Sequence, residues 1–206
     1  MKIKVYADTI CGWCYIGHSR LLKALSNFEN ISFDLEHGPF QLNPDMPKEG
    51  IGRLDYLKYK FGSKEAAQPM YDSMTKEALK EDLKFNLDEI QATPNTSLSH
   101  ILIKLAFSKK IGHQVLSEIY NAYFSKGTNI GDADILIEIG KSQNMSEKEI
   151  IDSFSSEEET KKINRSDSEA RSMGINGVPF FELNNKTYIS GAQSTANLIE
   201  AIKVNL

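Results

Sequence analysis

The spacing between apolar residues changes twice within the first 35 residues of the chain. Residues 2–7 alternate polar and apolar side chains, and this two-residue period is typical of a β-strand. Between residues 13 and 28 the leucines recur at spacings of three and four, which predicts an amphipathic helix. Residues 31–35 alternate again and predict a second strand. A strand, a helix and a strand within about 40 residues have the size of a βαβ unit.

The middle of the chain has a different character. After a loop that contains three prolines, residues 52–154 show apolar positions at helical spacing and no convincing strand alternation. Gly112, Gly127, Gly131 and Gly140 fall where such helices would end. We therefore expect a helical block of roughly a hundred residues with a small core of its own.

Strands return near the C-terminus. Residues 155–173 predict a charged helix, and their charge run is typical of a solvated helix face. A turn-rich loop, residues 174–179, follows this helix. Residues 180–183 and 187–190 flank a short polar turn and predict an antiparallel hairpin, after which a final helix closes the chain. The element order is therefore βαβ, a helical insertion, and ββα.

Composition and charge narrow the functional classes. The 206 residues are 40% hydrophobic and 25% charged, as in an ordinary folded protein. Lys and Arg number 24 against 28 Asp and Glu, and without a basic run this balance does not favour a nucleic-acid surface. No apolar stretch approaches the roughly 18 residues that span a membrane. Because the N-terminal residues do not resemble a signal peptide, we expect a cytoplasmic protein.

The two cysteines carry the candidate chemistry. Both lie in Cys11-Gly12-Trp13-Cys14, a spacing that chance alone gives about 1% of the time. They fall at the predicted helix start, where free N–H groups and the positive dipole end stabilise a thiolate at Cys11. Lowering its pKa from about 8.5 to about 6.5 would raise the thiolate fraction at pH 7 from about 3% to about 75%. Cys11 is the predicted attacking sulfur, and Cys14 the less exposed resolving sulfur.

Two other interpretations of the cysteines remain open at this point. They could be buried, inert thiols, or they could bind zinc together with His18. A closed structural zinc site needs four ligands, however, and the chain has no further cysteine. Since a cytosolic chain of this size does not need a disulfide for stability, we prefer redox chemistry and expect no metal.

Three stretches of the chain carry a family likeness. They are residues 8–17 (DTICGWCYIG), residues 121–124 with Gly127 and Ile130, and residues 177–181 followed by 190–193. Asn95-Thr96 with His100 is also similar to a family stretch. In this order they resemble the DsbA-like branch of the thioredoxin superfamily, and more narrowly the FrnE-like DsbA oxidoreductases. That group is related to kappa-class glutathione transferases and 2-hydroxychromene-2-carboxylate isomerases.

This resemblance implies an α/β thioredoxin fold with a large all-helical insertion. The thioredoxin-like domain would comprise residues 1–45 and 155–206, and the insertion residues 46–154. The bond between Val178 and Pro179 would be cis and would face the cysteines, and the backbone there would pair with an extended substrate segment. The implied activity is thiol–disulfide exchange or isomerisation on a protein or small-molecule disulfide. It needs no cofactor beyond the cysteine pair, which glutathione or another thiol would recycle.

Two departures from the related sequences bear on the chemistry. Gly12 stands where proline is common, and Trp13 stands where DsbA itself has a histidine. Because an indole cannot supply a cation, we do not expect a strongly oxidising potential; Trp13 would shield the sulfurs, contact the substrate or have a buried structural role. The related transferases and isomerases usually have serine in place of Cys11, so the presence of both cysteines favours thiol–disulfide exchange.

Two rival functions remain open. One is a glutathione-dependent transferase or isomerase that acts on small electrophilic or aromatic compounds. The other is a redox-gated binding module whose helical block engages a partner. Near the cysteines, we expect Asp8 to cap the loop or the helix or to lie hydrated at the surface; the alternative is that it tunes Cys11 by repelling the thiolate. We expect Asn95 to cap a helix and His100 to be an ordinary hydrogen-bonded residue; the alternative is that both line the cleft as the insertion folds over the active site.

Overall fold

The computed structural model describes all 206 residues. The strands are β1 (Lys2–Ala7), β2 (Asp34–Pro39), β3 (Ile51–Gly52), β4 (Ala92–Thr93), β5 (Phe180–Leu183) and β6 (Thr187–Ser190). The helices are α1 (Gly12–Leu25), α2 (Arg53–Phe61), α3 (Lys64–Leu79), α4 (Ser97–Ser108), α5 (Gly112–Tyr120), α6 (Ala133–Ser142), α7 (Glu147–Phe154), α8 (Glu157–Ser172) and α9 (Thr195–Val204). A 3₁₀ turn covers Leu87–Glu89, and a π-helical turn, Asn121–Ser125, continues α5. None of these helices combines the length and apolar character needed to cross a membrane.

Strand β1 lies inside the four-stranded sheet, whose strand order is β2–β1–β5–β6. It pairs with β2 in parallel and with β5 in antiparallel register, where Ile3 lies opposite Leu183. Strands β5 and β6 form the predicted hairpin. Its turn residues Asn184 and Asn185 have φ values of 51° and 56°, a conformation that asparagine tolerates well. The βαβ and ββα order predicted from the sequence is therefore present, with helices between its two halves.

Helices α1 and α9 pack against each other over the sheet. The small core between them takes side chains from β1, α1, β5 and α9, each 2% exposed or less: Ile3, Leu21, Ala24, Phe181, Leu183, Leu198 and Ile202. These contacts hold the C-terminal half of α1 on the sheet. The N-terminal end of the same helix is left to contact the helical part of the chain.

Element boundaries differ from the predicted ones in three places. Strand β2 begins at Asp34 instead of residue 31, because the Asp34 N–H donates to the carbonyl of Met1 and the pairing with β1 starts there. Helix α1 ends before Phe28, whose ring packs edge-to-face on Phe33 at 5.9 Å. The middle of the chain also contains one strand pair, β3 with β4. Each of these strands has two residues, too few to show an alternation.

The helical part has only a three-residue buried cluster of its own, between α2 and α3, and it shares its main core with α1. The cluster of 23 buried apolar residues that fills it also contains Cys14, Tyr15 and Ile16 of α1. The Tyr15 ring stacks on Tyr120 at 4.9 Å and on Phe85 at 5.8 Å. Periodicity along one helix does not tell which element covers its apolar face, so the sequence could not show this sharing. The domain boundaries given above stay a prediction.

Arg20 joins α1 to the end of α3. Its Nε donates to Glu81 Oε1 at 2.6 Å and its Nη2 to Glu77 Oε2 at 2.8 Å. Its Nη1 donates to the carbonyl of Ala192 at 2.8 Å. The Arg20 side chain is 10% exposed, so water competes little for these contacts. Lys23 reaches the same Glu81 carboxylate from the solvent side, at 2.9 Å.

The Arg20 contacts should contribute measurably to stability. We expect Arg20→Leu to lower the free energy of unfolding by about 3 kcal/mol, because Glu81 loses its buried partner. The control Lys23→Leu removes an exposed partner of the same carboxylate and should cost less than about 1 kcal/mol. Urea unfolding at neutral pH measures both values. Equal losses in the two variants would show that burial of the pair is not what matters.

Candidate active site

The two thiols lie where the chain leaves β1 and enters α1. Cys11 is the N-cap residue of α1, with φ −94° and ψ 108°. Its Sγ accepts a hydrogen bond from the Cys14 backbone N–H at 3.3 Å. The sulfur thus occupies the place that a serine or aspartate oxygen takes at many helix starts. Both cysteines are free thiols.

Both sulfurs are buried, and Cys14 lies deeper than Cys11. Cys14 is 1% exposed and Cys11 is 7% exposed, which is the expected order although Cys11 is less open than we expected. Burial, reinforced by the hydrogen bond and charge interaction with Cys11, raises the pKa of the Cys14 thiol well above its ordinary value. Cys14 is therefore a protonated thiol at neutral pH.

Val178 and Pro179 lie beside the thiols, on the loop that precedes β5. The peptide bond between them is cis. The Cys11 Sγ donates to the carbonyl of Val178 at 3.6 Å. Pro179 is buried against Gly17 of α1, where an added Cβ would lie 2.9 Å from the proline Cγ. The structure therefore places Cys11, Cys14 and this loop in one site.

The dipeptide between the cysteines is held against the helical part. A Cβ atom on Gly12 would overlap the Met74 side chain and would come within 3.0 Å of the Phe85 ring. Any residue with a Cβ, proline included, would therefore force the flexible end of the Met74 side chain to move. Trp13 is partly buried and packs at the edge of the large apolar cluster, so part of its surface stays open beside the thiols.

Asp8 is fully buried, so the expectation that it lies hydrated at the surface is wrong. Its Oδ2 accepts from the Leu42 N–H at 2.7 Å, and its Oδ1 lies 3.3 Å from His100 Nε2. Its carbonyl accepts from the Cys11 N–H at 3.2 Å. A polar residue between a strand and a helix is ordinarily hydrated, but here α4 covers it.

Asn95 lies just before α4 and organises the turn that leads into it. Its Oδ1 accepts from the Ser97 N–H at 2.9 Å, and its Nδ2 donates to the carbonyl of Met46 at 2.7 Å. The N-cap residue of α4 is Thr96. Asn95 therefore supports the helix start from one position further back than the expected cap.

The four histidines of the chain gather behind the thiols, which the sequence analysis did not anticipate. His37 Nε2 and His100 Nδ1 are 3.0 Å apart, and the rings of His18 and His113 stack with centroids 5.3 Å apart. Cys14 lines a small cavity together with three of these histidines. The one signal in the sequence is the spacing between Cys14 and His18, which places both on one face of α1.

Burial keeps most of these imidazoles uncharged. It lowers the pKa of His18 to about 3, and it also lowers the pKa of His37 and His113. Repulsion from the neighbouring imidazole adds to the effect at His18 and His37. A neutral imidazole has one N–H donor and one nitrogen lone pair, so each of these rings can both give and accept a proton.

The cysteines take no part in a second cleft of the structure or in any cluster of metal-binding side chains. This cleft of about 780 Å³ lies between α2, α3 and residues 85–91, and neither cysteine lines it. Nowhere in the chain do three or more His, Cys, Asp or Glu side chains form a group that could hold a metal ion. His18, the third ligand of the zinc alternative, instead has its Nε2 3.0 Å from Ser117 Oγ.

The sequence of this chain matches the DSBA-like thioredoxin domain over residues 2–203. The protein belongs to the DsbA-like thioredoxin family. Members of this family are oxidoreductases and isomerases. The predicted α/β thioredoxin fold with a helical insertion is confirmed.

Several solved structures are similar to the DsbA-like chain described here. A probable DsbA oxidoreductase from Streptomyces coelicolor is 26% identical with a TM-score of 0.88, over 100% of this chain and 89% of that one. The cytosolic disulfide reductase DsbM from Pseudomonas aeruginosa, solved with GSH, is 20% identical with a TM-score of 0.65, over 99% and 98% of the two chains. A 2-hydroxychromene-2-carboxylate isomerase is 14% identical with a TM-score of 0.76, over 99% and 95%. DsbM and the isomerase, at these identities, show that the fold is the same as in this chain.

One curated relative also matches. The uncharacterized protein YwbO of Bacillus subtilis is 26% identical over 141 residues, which is 68% of this chain and 65% of that protein. The match therefore spans slightly less than two thirds of the relative's own length.

The contact between Gly17 and Pro179 should position the loop beside the thiols. We expect Gly17→Ala to push Pro179 away and to lower the free energy of unfolding by about 1 kcal/mol or more, although alanine is the better helix former. Because this loop contacts Cys11, the rate of Cys11 alkylation should also differ between Gly17→Ala and the wild type. The control is Gly177→Ala on the same loop, where an added Cβ has nothing within 4 Å. A control as destabilised as Gly17→Ala would rule out the contact as the cause.

Burial of His18 should make the stability depend on pH. Because its folded pKa of about 3 lies below the ordinary value of 6.5, the unfolded chain binds a proton between these values that the folded chain does not. Stability should therefore fall as the pH drops below about 6.5, by about 2 kcal/mol at pH 5 from this residue. Urea unfolding at pH 7.5 and pH 5 would show a smaller loss in His18→Gln. An identical loss in both proteins would disprove the assignment.

Proposed function

We propose that the protein is a thiol–disulfide oxidoreductase or isomerase in which Cys11 attacks the substrate and Cys14 resolves the intermediate. The observation that carries this proposal is the hydrogen bond from the Cys14 N–H to Cys11 Sγ at the start of α1. A donor and a helix N-terminus directed at one sulfur favour negative charge on that sulfur. The more buried Cys14, whose pKa is raised, is suited to act second.

The exchange proceeds in two steps. The Cys11 thiolate attacks one sulfur of a substrate disulfide, and the other substrate sulfur leaves as a thiolate. Cys14 then attacks Cys11 Sγ, which releases the bound substrate thiol and leaves a disulfide between Cys11 and Cys14. A recycling thiol then reduces this disulfide and completes the cycle. The reverse sequence reduces the protein's disulfide and oxidises the substrate, and in that direction another disulfide must reoxidise the protein.

The loop at Val178 and Pro179 is the proposed contact for the substrate backbone. The Val178 carbonyl lies 3.6 Å from Cys11 Sγ, so a segment bound along this loop would hold its disulfide near the attacking sulfur. Trp13, which is partly exposed and lies between the two cysteines in the sequence, would pack against the substrate. Since an indole supplies no cation to the thiolate, we expect a less oxidising potential than that of DsbA.

Glutathione is the proposed small-molecule thiol of the cycle. The disulfide reductase DsbM, which shares this fold, was solved with GSH. The 2-hydroxychromene-2-carboxylate isomerase supports a second candidate, a glutathione-dependent isomerase or transferase, through the fold alone. Turnover of an aromatic or electrophilic compound by Cys14→Ser would favour that candidate. The cytoplasmic location expected from the sequence stays a prediction.

Insulin reduction by dithiothreitol tests the assignment. We expect the wild type to accelerate the reaction, and Cys11→Ser to lose this acceleration because no attacking sulfur is left. When Cys14→Ser is mixed with insulin without dithiothreitol, it should instead accumulate a mixed disulfide at Cys11, which mass spectrometry detects. Urea unfolding of each variant shows that the fold is retained. Full activity of a folded Cys11→Ser protein would sink the proposal.

A further inference from the structure

Cys14 has to give up a proton in a place that bulk water does not reach. Its side chain is 1% exposed, and its raised pKa keeps it protonated until the resolving step. The two-step exchange therefore needs a group inside the protein that takes this proton and returns it in the reverse direction.

Three residues behind the thiols form a connected chain of polar groups. Asp8 Oδ1 lies 3.3 Å from His100 Nε2, and neither atom has another hydrogen-bond partner. On the other side of the His100 ring, Nδ1 lies 3.0 Å from His37 Nε2. These polar side chains thus connect the loop before Cys11, through α4, to strand β2.

The series of contacts from Asp8 through His100 selects one tautomer of His37. The carboxylate of Asp8 favours a proton on His100 Nε2, which leaves His100 Nδ1 as an acceptor. His37 must then donate to it from Nε2, so His37 Nδ1 carries a free lone pair. A base held by an orienting group in this way has the same logic as the histidine of a catalytic triad.

A cavity connects this base to the buried thiol. Cys14 and His37 both line it, together with His18, His113 and Tyr120. Its volume of about 10 Å³ is close to what one water molecule requires. Both ring nitrogens of His113 are buried there without a hydrogen-bond partner in the protein, so the cavity wall offers polar groups to such a water.

We propose that His37 exchanges the proton of Cys14 across this cavity, and that His100 and Asp8 are positioning residues that hold its tautomer. The inference rests on the proposed function, since it concerns the resolving step. In that step the Cys14 S–H proton passes through the cavity to His37 Nδ1. The Cys14 electron pair forms the bond to Cys11 Sγ, and the substrate sulfur leaves with the electrons of the broken bond. The substrate disulfide is the only oxidant needed.

The surroundings of His37 suit a transient proton carrier. Its neighbours are His100 on α4, His18 on α1, His113 on α5 and Lys4 on β1, and together with burial they lower its pKa. Glu36, which precedes it on β2, also lines the cavity and pairs with Lys2 at the surface. His37 is therefore neutral and can accept a proton at physiological pH, and its lowered pKa favours release of that proton again.

A single-turnover experiment separates the two steps. The reduced protein is mixed with a chromogenic aromatic disulfide, so that one coloured thiolate is released by Cys11 attack and a second by Cys14. We expect His37→Gln to leave the first release unchanged and to slow the second at least about tenfold at neutral pH. Glutamine keeps a hydrogen bond to His100 but cannot relay a proton, so a purely structural role predicts wild-type rates.

Two further variants complete the design. Glu36→Gln changes the neighbouring titratable residue of β2, which lines the same cavity but has no contact with Asp8 or His100, and its second release should stay within about twofold of wild type. His100→Gln should slow the second release and alter its pH profile, which a structural role would not do.

The outcomes are distinguishable. A second release in His37→Gln as fast as in the wild type, or equally slow in Glu36→Gln, would overturn the inference. If the wild type itself gives no first release, the proposed function fails instead. If a urea titration shows that His37→Gln does not fold, the wild type is measured in H₂O and in D₂O instead. Equal rates of the second release in the two solvents would exclude proton transfer from this step.

Discussion

The packing of α1 on two sides is the constraint on which the other features depend. Leu21 and its neighbours hold the C-terminal half of the helix on the sheet beside α9. The helical part encloses the N-terminal half, with Tyr15 stacked among its aromatic rings. Neighbouring side chains lie close to Gly12 and Gly17, so there is little space around the helix between its contact with the sheet and its contact with the helical part. The thiols therefore lie at a helix start that cannot move without disturbing both halves of the fold.

Exclusion of water from this helix start decides the charge of the groups around it. A low-dielectric interior favours uncharged forms, which is why Cys14 keeps its proton and the nearby imidazoles stay neutral. Asp8 is the carboxyl group within this interior, and a backbone N–H and His100 surround it. The site thus separates two tasks: bond exchange at the outer sulfur and proton handling behind the inner one.

Local features of the molecule were predictable from the sequence, and long-range ones were not. The helix start at Cys11 and the hairpin turn at Asn184 depend on residues a few positions away, so periodicity and turn chemistry were enough. The burial of Asp8 depends instead on α4, which follows it far along the chain. The pairing of His37 with His100 likewise depends on how α4 meets β2, and no pattern within either segment encodes this contact.

The shared core also limits how far the insertion can be treated as a separable module. Because Tyr15 and Ile16 of the thiol-bearing helix complete the apolar cluster of the helical part, a chimaera that grafts this helix onto a plain thioredoxin scaffold would expose them. Exposed apolar patches of this kind promote association. Transplanting the redox centre would therefore require the helical cover to be moved with it, or the underside of the helix to be redesigned as a solvent-facing surface.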